Sequence, residues 1–327
     1  MLTGNPFKSN EDPLKTGIIP PMIIVLGATA SGKTRLAVSL AGALGGEIIS
    51  ADSRQVFRGM DIGTGKDLSE YVSNGRPVSY HLIDIREPGE RYHVDAYKED
   101  FYRVYADLNA RGVLPVLCGG TGMYVHSILQ NHDLTGIPVN QSLRELLLPM
   151  DTAALRRRLS AYPPELTAHA DLSSHKRLVR AIEIAHFRSE HPWVRNERPA
   201  LRPFVIGLST GVPSRRARIL QRLSARLEQG MIGEVQALLF RGVSRAQLEF
   251  YGLEYKFVTA YLFNELSYDR LVERLGTAIC QFAKRQMTFF RKMEKDGVWI
   301  NWFDAEKDSD ELSEEILMAY DTWLSEL

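Results

Sequence analysis

The sequence predicts an α/β protein in which helices flank a parallel sheet, and two observations support this prediction. Short apolar runs alternate with segments of helical period, as expected for successive strand–helix–strand units. These runs are continuously apolar, which is typical of parallel strands buried on both faces. A glycine-rich segment directly follows the first run. Because ligands of such sheets bind at the carboxyl ends of the strands, that end is the expected site.

The apolar runs that we predict as strands are residues 22–26, 47–50, 80–83, 113–118, 202–209 and 298–303. The segments with helical period in the core are residues 33–44, 94–111, 214–241 and 268–295. Strand patterns are absent between about residues 123 and 202, where helical pieces lie among proline and charged residues. We therefore predict an N-terminal extension (1–20), a core (21–122 and 203–327) and an inserted helical subdomain (123–202).

The composition indicates a folded protein from a reducing compartment. Of the 327 residues, 44% are hydrophobic, which is enough to bury a large core. Forty basic residues balance forty acidic ones, so any nucleic-acid surface must come from local clustering. The two cysteines, Cys118 and Cys280, lack the spacing of metal ligands. Neither a signal peptide nor a membrane span is recognisable, and we expect a cytoplasmic protein without a membrane partner.

The segment that follows the first strand fits G-x-x-x-x-G-K-[ST], the pattern of a phosphate-binding P-loop. Its residues, all predicted to bind a diphosphate or triphosphate, are Gly27, Ala28, Thr29, Ala30, Ser31, Gly32, Lys33 and Thr34. The glycines let backbone N–H groups turn inward, Lys33 supplies a positive charge, and Thr34 offers a hydroxyl to magnesium. The core should therefore be P-loop NTPase-like. The reaction stays open, because kinases, hydrolases and transferases share this loop.

Two more polar segments follow predicted strands. Asp52 belongs to a dense polar stretch, residues 50–66. By residue type alone, a helix cap is the commonest role for such an aspartate, whereas a neighbouring phosphate site favours a magnesium ligand or a general base. Residues 118–124 place three glycines around Thr121, which allows a ligand to approach the backbone closely.

Together these segments resemble the bacterial tRNA dimethylallyltransferases, also called tRNA isopentenylpyrophosphate transferases. The resemblance is carried, in chain order, by residues 27–34, 50–66, 80–84, 119–124, 177–183, 218–222, 227–235 and 283–291. It spans the chain from about residue 22 to residue 304. The chain has Gly65 and Asp67 where the family usually has alanine and proline, and Lys176 where the family usually has glutamine.

The resemblance implies transfer of a dimethylallyl group from dimethylallyl pyrophosphate to N6 of adenosine 37, in tRNAs that read codons beginning with U. Mg²⁺ is the implied cofactor, with Thr34 as a ligand. By position, Asp52 would be the general base, Thr121 would lie at the reaction channel, and Lys33 and Arg218 would hold the pyrophosphate in the P-loop. These expectations make Asp52, Thr121 and Lys33 the catalytic candidates.

The resemblance also implies a tRNA surface. The residues carried over as contacts to the anticodon stem-loop are Asp52, Ser53, Arg54, Gln55, Lys176, Arg177 and Arg180. We expect a monomer. The basic series Arg144, Arg156, Arg157 and Arg158 is either a second RNA-facing edge or a solvated helix face. In the segment 282–291, we expect the aromatic rings in the core and the basic groups toward RNA.

Three alternatives remain open from the sequence. An adenylate isopentenyltransferase would use the same chemistry on AMP, but the insert and the late helices favour a larger acceptor. A small-molecule kinase would also use a P-loop, although it leaves residues 52–66 without a role. A non-catalytic RNA-binding protein would not require intact Lys33, Thr34, Asp52 and Thr121. We expect His81 and Asp84 to be structural.

Overall fold

The computed structural model describes residues 19–168, 170–192 and 197–326. The predicted extension lies outside the described residues except for its last two. The chain divides into two compact units, residues 1–130 with 200–327 and residues 131–199. We predicted the insert from residue 123. The division falls later because the helix Gly122–Leu129 packs into a buried cluster of the first unit through Tyr124, Val125 and Ile128.

Six parallel strands form the main sheet of the first unit, in the order β5-β2-β6-β1-β7-β8. The strands are β1 (Pro21–Gly27), β2 (Gly46–Ser50), β5 (Tyr80–His81), β6 (Leu114–Gly119), β7 (Arg202–Ser209) and β8 (Asn301–Asp304). A small antiparallel ribbon consists of β3 (Val72–Ser73) and β4 (Arg76–Pro77). The predicted strand 80–83 ends early because Leu82 and Asp84 have left-handed φ values of 62° and 55°.

Helices cover both faces of this sheet. The helices of the first unit are α1 (Lys33–Leu44), α2 (Val94–Ala110), α3 (Gly122–Leu129), α8 (Val212–Glu228), α9 (Met231–Phe240), α10 (Arg245–Tyr251), α11 (Leu253–Leu262), α12 (Tyr268–Lys295) and α13 (Ser309–Ser325). Ile23 and Val25 of β1 pack with α1 and α13, whereas Met22, Ile24 and Leu26 pack with α2, α3 and α12. Both faces of β1 are therefore buried, which explains its continuously apolar sequence.

A third buried cluster joins α8–α12 to Val56, Phe57 and Met60 of the polar stretch after β2. The predicted helical segment 214–241 is two helices, because Gly230 takes a left-handed φ of 100° between them. None of the helices among the described residues combines the length and the apolar character that crossing a membrane requires.

The second unit is helical, as predicted for the insert. Its helices are α4 (Gln141–Leu147), α5 (Thr152–Leu159), α6 (Pro164–Thr167) and α7 (His175–Glu190). Asn140, Asp151 and Ser174 cap three of them with side-chain oxygens that accept backbone N–H groups. The helices bury a leucine-rich core of their own.

Candidate active site

A cavity of about 520 Å³ lies in the first unit, at the carboxyl ends of β1, β2 and β6. All three polar segments found in the sequence contribute to its wall. The predicted site residues that line it are Thr29, Lys33, Thr34, Asp52, Ser53, Arg54, Gln55 and Thr121. The structure thus brings together residues that are up to 92 positions apart in the chain, as expected for segments that follow parallel strands.

The P-loop wraps the start of α1. Gly32 has a φ of 85°, and no side chain caps the helix that begins at Lys33, so its first N–H groups remain available to an anion. Ser31 Oγ is buried and has no hydrogen-bond partner within the described residues. Burial lowers the pKa of Lys33, and the guanidinium of Arg222 acts in the same direction. This loop has the unfilled donors that a diphosphate would engage.

Gln286 of α12 connects the P-loop to the segment that carries Thr121. Its Oε1 accepts the Thr29 N–H at 2.9 Å, and its Nε2 donates to the Gly120 carbonyl at 2.9 Å. The side chain is 8% exposed. The link therefore holds the two parts of the cavity wall in one relative position.

Asp52 and its neighbours form the wall after β2. The Asp52 carboxylate accepts the N–H of Arg54 at 2.8 Å through Oδ1. Gln55 accepts from the Ser50 hydroxyl at 3.1 Å and donates to the Gly65 carbonyl at 3.0 Å. These local bonds fix the turn that aims the carboxylate at the cavity.

Arg54 is the basic member of this wall. Its guanidinium lies 5.1 Å from the centre of the Phe250 ring, within the range of a cation–π contact. Burial lowers the pKa of Arg54, although the Asp52 carboxylate opposes this effect.

Thr121 bonds to the two residues that flank Asp52, because β2 and β6 end in close contact. A side chain at Gly119 would lie 2.2 Å from the Ala51 carbonyl oxygen, so only glycine fits there. Thr121 Oγ1 accepts the N–H of Ser53 at 3.1 Å, and the N–H of Thr121 donates to Ala51 at 3.2 Å. The threonine hydroxyl is therefore fixed one residue away from the candidate base.

A carboxylate on α9 holds the loop that forms the opposite wall. Glu234 accepts the backbone N–H groups of Asp61, Ile62 and Gly63 at 2.7, 2.7 and 3.0 Å, and it also accepts from the Tyr255 hydroxyl at 2.7 Å. This network replaces the water that would otherwise solvate three loop amides.

The arginines of α8 differ from the expectation. Arg218, expected at the pyrophosphate, does not line the cavity. Instead it donates from both terminal nitrogens to the Ala305 carbonyl at 3.2 Å. Arg222 and Arg226, one and two helical turns later, do line the cavity. Arg222 also donates to Asp67 at 2.7 Å.

The predicted contacts of the insert lie in the second unit. Lys176 is exposed. Arg177 is exposed too and donates to Asp171 at 2.9 Å. Arg180 donates to the Ile137 carbonyl at 2.6 Å and lies 3.7 Å from Glu183. Arg180 is therefore bonded within this unit, whereas Lys176 and Arg177 are exposed, Arg177 in an ion pair with Asp171.

The two residues that we expected to be structural have protein partners. His81 lies 2.7 Å from Glu47, and Asp84 pairs with the buried Lys66 ammonium. Arg144 was expected on an RNA-facing edge or a solvated helix face, and it pairs instead with the buried Glu183 at 2.6 Å. In the segment 282–291, Phe290 is in the core as predicted. Two further rings, Phe282 and Phe289, instead line the cavity together with Arg285.

Four residues that line the cavity carry no sequence pattern that predicts a role at the site: Gln286, Arg222, Arg226 and Glu254. The four-residue spacing of Arg218, Arg222 and Arg226 does indicate a shared helix face. It does not indicate which turn of that helix reaches the site.

Comparisons with known proteins agree with one another. A family model described as IPP transferase matches residues 55–293, and one described as Isopentenyl transferase matches residues 20–81. A tRNA dimethylallyltransferase of Porphyromonas gingivalis is 50% identical over 299 residues, which cover 91% of this chain and 99% of that protein. Another, of Syntrophotalea carbinolica, is 50% identical over 287 residues, covering 88% and 95%.

Solved structures agree as well. The tRNA isopentenylpyrophosphate transferase of Bacillus halodurans matches with a TM-score of 0.69 and 31% identity, covering 94% of this chain and 97% of that one. A eukaryotic dimethylallyltransferase acting on tRNA matches with a TM-score of 0.73, covering 94% and 80%. At 20% identity, this second match shows the fold alone. The predicted P-loop NTPase-like sheet flanked by helices is confirmed.

Proposed function

This chain belongs to the tRNA dimethylallyltransferase family, and we propose that it transfers a dimethylallyl group from its pyrophosphate to N6 of adenosine 37 in tRNA. The observation that carries the proposal is one cavity that joins the P-loop, Asp52 and Thr121. A phosphate site supplies the place for the leaving group, and a carboxylate beside it supplies a proton acceptor.

Asp52 is the proposed general base. The lone pair of an adenine N6 is delocalised, so this amine is a weak nucleophile. As N6 forms a bond to C1 of the dimethylallyl group, the C1–O bond breaks, pyrophosphate leaves with the electron pair, and the Asp52 carboxylate takes the N6 proton. A base placed in this way typically contributes about 10²–10⁴-fold to the rate. The Thr121 hydroxyl, held by Ser53, orients the acceptor beside it.

The P-loop and Arg222 are proposed to stabilise the leaving group. Negative charge grows on the pyrophosphate as the C–O bond breaks, and Lys33, Arg222 and the uncapped N–H groups of α1 meet that charge. The described residues contain no group of three or more histidine, cysteine, aspartate or glutamate side chains suited to a metal. This fits Mg²⁺, which is commonly held through substrate phosphates. The Thr34 hydroxyl and the pyrophosphate would hold it, and it would neutralise phosphate charge.

The acceptor base must leave its stack to enter the cavity. Extruding a base costs a few kcal/mol, and the cost is smaller in a single-stranded loop than in a duplex. Ser53, Arg54 and Gln55 line the cavity around Asp52 and are the proposed contacts to the target base and its neighbours. Lys176 and Arg177 are proposed to contact tRNA phosphates through exposed charges.

Label transfer tests the proposal. Radioactive dimethylallyl pyrophosphate and Mg²⁺ are incubated with unmodified tRNA carrying A36-A37, with the same tRNA carrying G37, and with AMP. Label on the A37 tRNA alone is the expected result. Label on AMP would instead assign the protein to the adenylate isopentenyltransferases. Label on no acceptor, together with ATP-dependent phosphorylation of a small molecule, would support a kinase.

A further inference from the structure

The cavity contains a buried arginine to which the protein gives few partners of its own. Arg226 is 8% exposed, yet neither its Nε nor its Nη2 has a hydrogen-bond partner within the described residues. Its ion pair, from Nη2 to Asp67 Oδ2, is 3.7 Å long. The same Asp67 oxygen accepts from Arg222 at 2.7 Å. Burying a guanidinium with two of its nitrogens unbonded is unfavourable, so a ligand is expected to complete this site.

Arg226 lies next to the phosphate-binding loop. Besides lining the main cavity, it lines a small adjoining cleft together with Arg222 and with Thr29 and Ala30 of the P-loop. Both arginines also act to lower the pKa of Lys33. Three cations are thus close enough to repel one another, and an anion between them would remove that repulsion.

Gly65 leaves the space that the guanidinium of Arg226 occupies. Gly65 has a φ of 63°. A side-chain carbon at this position would lie 1.5 Å from Nη2 of Arg226 and 2.4 Å from Nη2 of Arg222. Any other residue at position 65 would therefore displace both guanidiniums from the cavity wall.

We propose that Arg226 is a second pyrophosphate-binding arginine, which donates from Nε and Nη2 to the pyrophosphate of the prenyl donor beside Arg222, in space left by Gly65. The inference rests on the proposed function and extends its donor site. Because Arg226 is almost fully buried, a small anion inside the cavity suits it better than a phosphate on the outside of an RNA stem. Hydrogen bonds between charged groups are the strong ones, so its contribution to affinity should be measurable.

Calorimetric titration of inorganic pyrophosphate with Mg²⁺ into the full-length protein tests the proposal. Arg226→Met keeps an unbranched side chain of similar length but removes every donor, and we expect it to weaken pyrophosphate binding about 10- to 100-fold. The matched control is Arg216→Met, an exposed arginine on the same helix, which should bind like the wild type. Unchanged affinity in Arg226→Met, beside clear wild-type binding, overturns the proposal. A wild-type protein that does not bind pyrophosphate contradicts the proposed function itself.

Three further measurements complete the test. Thermal unfolding should show that Arg226→Met is folded, because the substitution removes a buried charge. Gly65→Ala should weaken pyrophosphate binding in the wild type and weaken it less in the Arg226→Met background. Equal losses in both backgrounds would overturn the role of Gly65. Binding of an anticodon stem-loop without donor should be the same in Arg226→Met and the wild type. If Arg226→Met weakened binding of the stem-loop but not of pyrophosphate, the arginine would be an RNA contact and the proposal would be overturned.

Discussion

Replacing Gln286 by Leu should both destabilise the protein and misplace the P-loop. The side chain makes two hydrogen bonds of 2.9 Å, a partly buried one to Thr29 and a buried one to Gly120. Leucine has nearly the same size but leaves one backbone donor and one backbone acceptor unpaired, at a cost of about 1–3 kcal/mol each. We therefore expect the free energy of unfolding to fall by about 2–6 kcal/mol. The melting temperature should drop by roughly 5–20 °C.

The loss of catalysis should also be measurable in protein that is fully folded. Without the Gln286 side chain, the hydrogen bonds that link Thr29 to the segment carrying Thr121 are lost. A displacement of about 1 Å costs on the order of 100-fold in rate. Steady-state prenylation of an anticodon stem-loop, measured below the melting transition, should show this loss in kcat/KM. Gln281→Leu makes the same change at an exposed position of the same helix and should leave both quantities unaltered. Wild-type kcat/KM in a folded Gln286→Leu protein would refute the positioning role.

Three further predictions concern other parts of the chain. Asp52→Ala should lower kcat by about 10²–10⁴-fold while tRNA affinity stays within about twofold of the wild type, and wild-type turnover would exclude Asp52 as the base. The double variant Lys176→Glu with Arg177→Glu should weaken tRNA binding and reduce the slope of log affinity against log salt concentration by about 2. The control, Lys176→Arg with Arg177→Lys, keeps both charges and should leave the slope unaltered. An unchanged slope in the double variant would place the RNA contacts elsewhere. The hydrogen bond from Arg111 lowers the pKa of Glu47 from 4.5 to about 2. The stability that this carboxylate supplies is therefore complete above about pH 4.5 and is lost as the pH falls through about 2. Glu47→Gln should cost about 2 kcal/mol at pH 7, and acid titration of unfolding should show the difference from wild type shrinking as the pH falls and disappearing below about pH 2.

The parts of the fold and of the site that could be predicted from the sequence are those whose geometry is determined by a local pattern. The P-loop and α1 could be placed from one motif, because its glycines and the following helix need no distant partner. Asp52 and Thr121 could be brought to the same site because parallel strands end at the same edge of the sheet. Both the periodicity and the strand ends can be recognised in the amino-acid sequence itself.

The parts that sequence reasoning did not find depend on contacts between distant segments. Arg218 and Arg222 are both arginines and lie one helical turn apart. Only the path of α8 determines that Arg222, and not Arg218, lines the cavity. Gln286 lies 257 positions from its partner Thr29. Phe289 follows the apolar period of α12, and a pattern of this kind cannot distinguish a ring that fills the core from one that lines a cavity.

The Glu234 carboxylate has a consequence for the thermodynamics of ligand binding. Three successive amides, those of Asp61, Ile62 and Gly63, are bonded to it before any ligand arrives. The conformational entropy of ordering this loop is therefore lost during folding rather than during association. In hydrogen–deuterium exchange, these amides should exchange slowly in the free protein and change little when the donor binds. Substrate binding would then lose no affinity to the ordering of this loop.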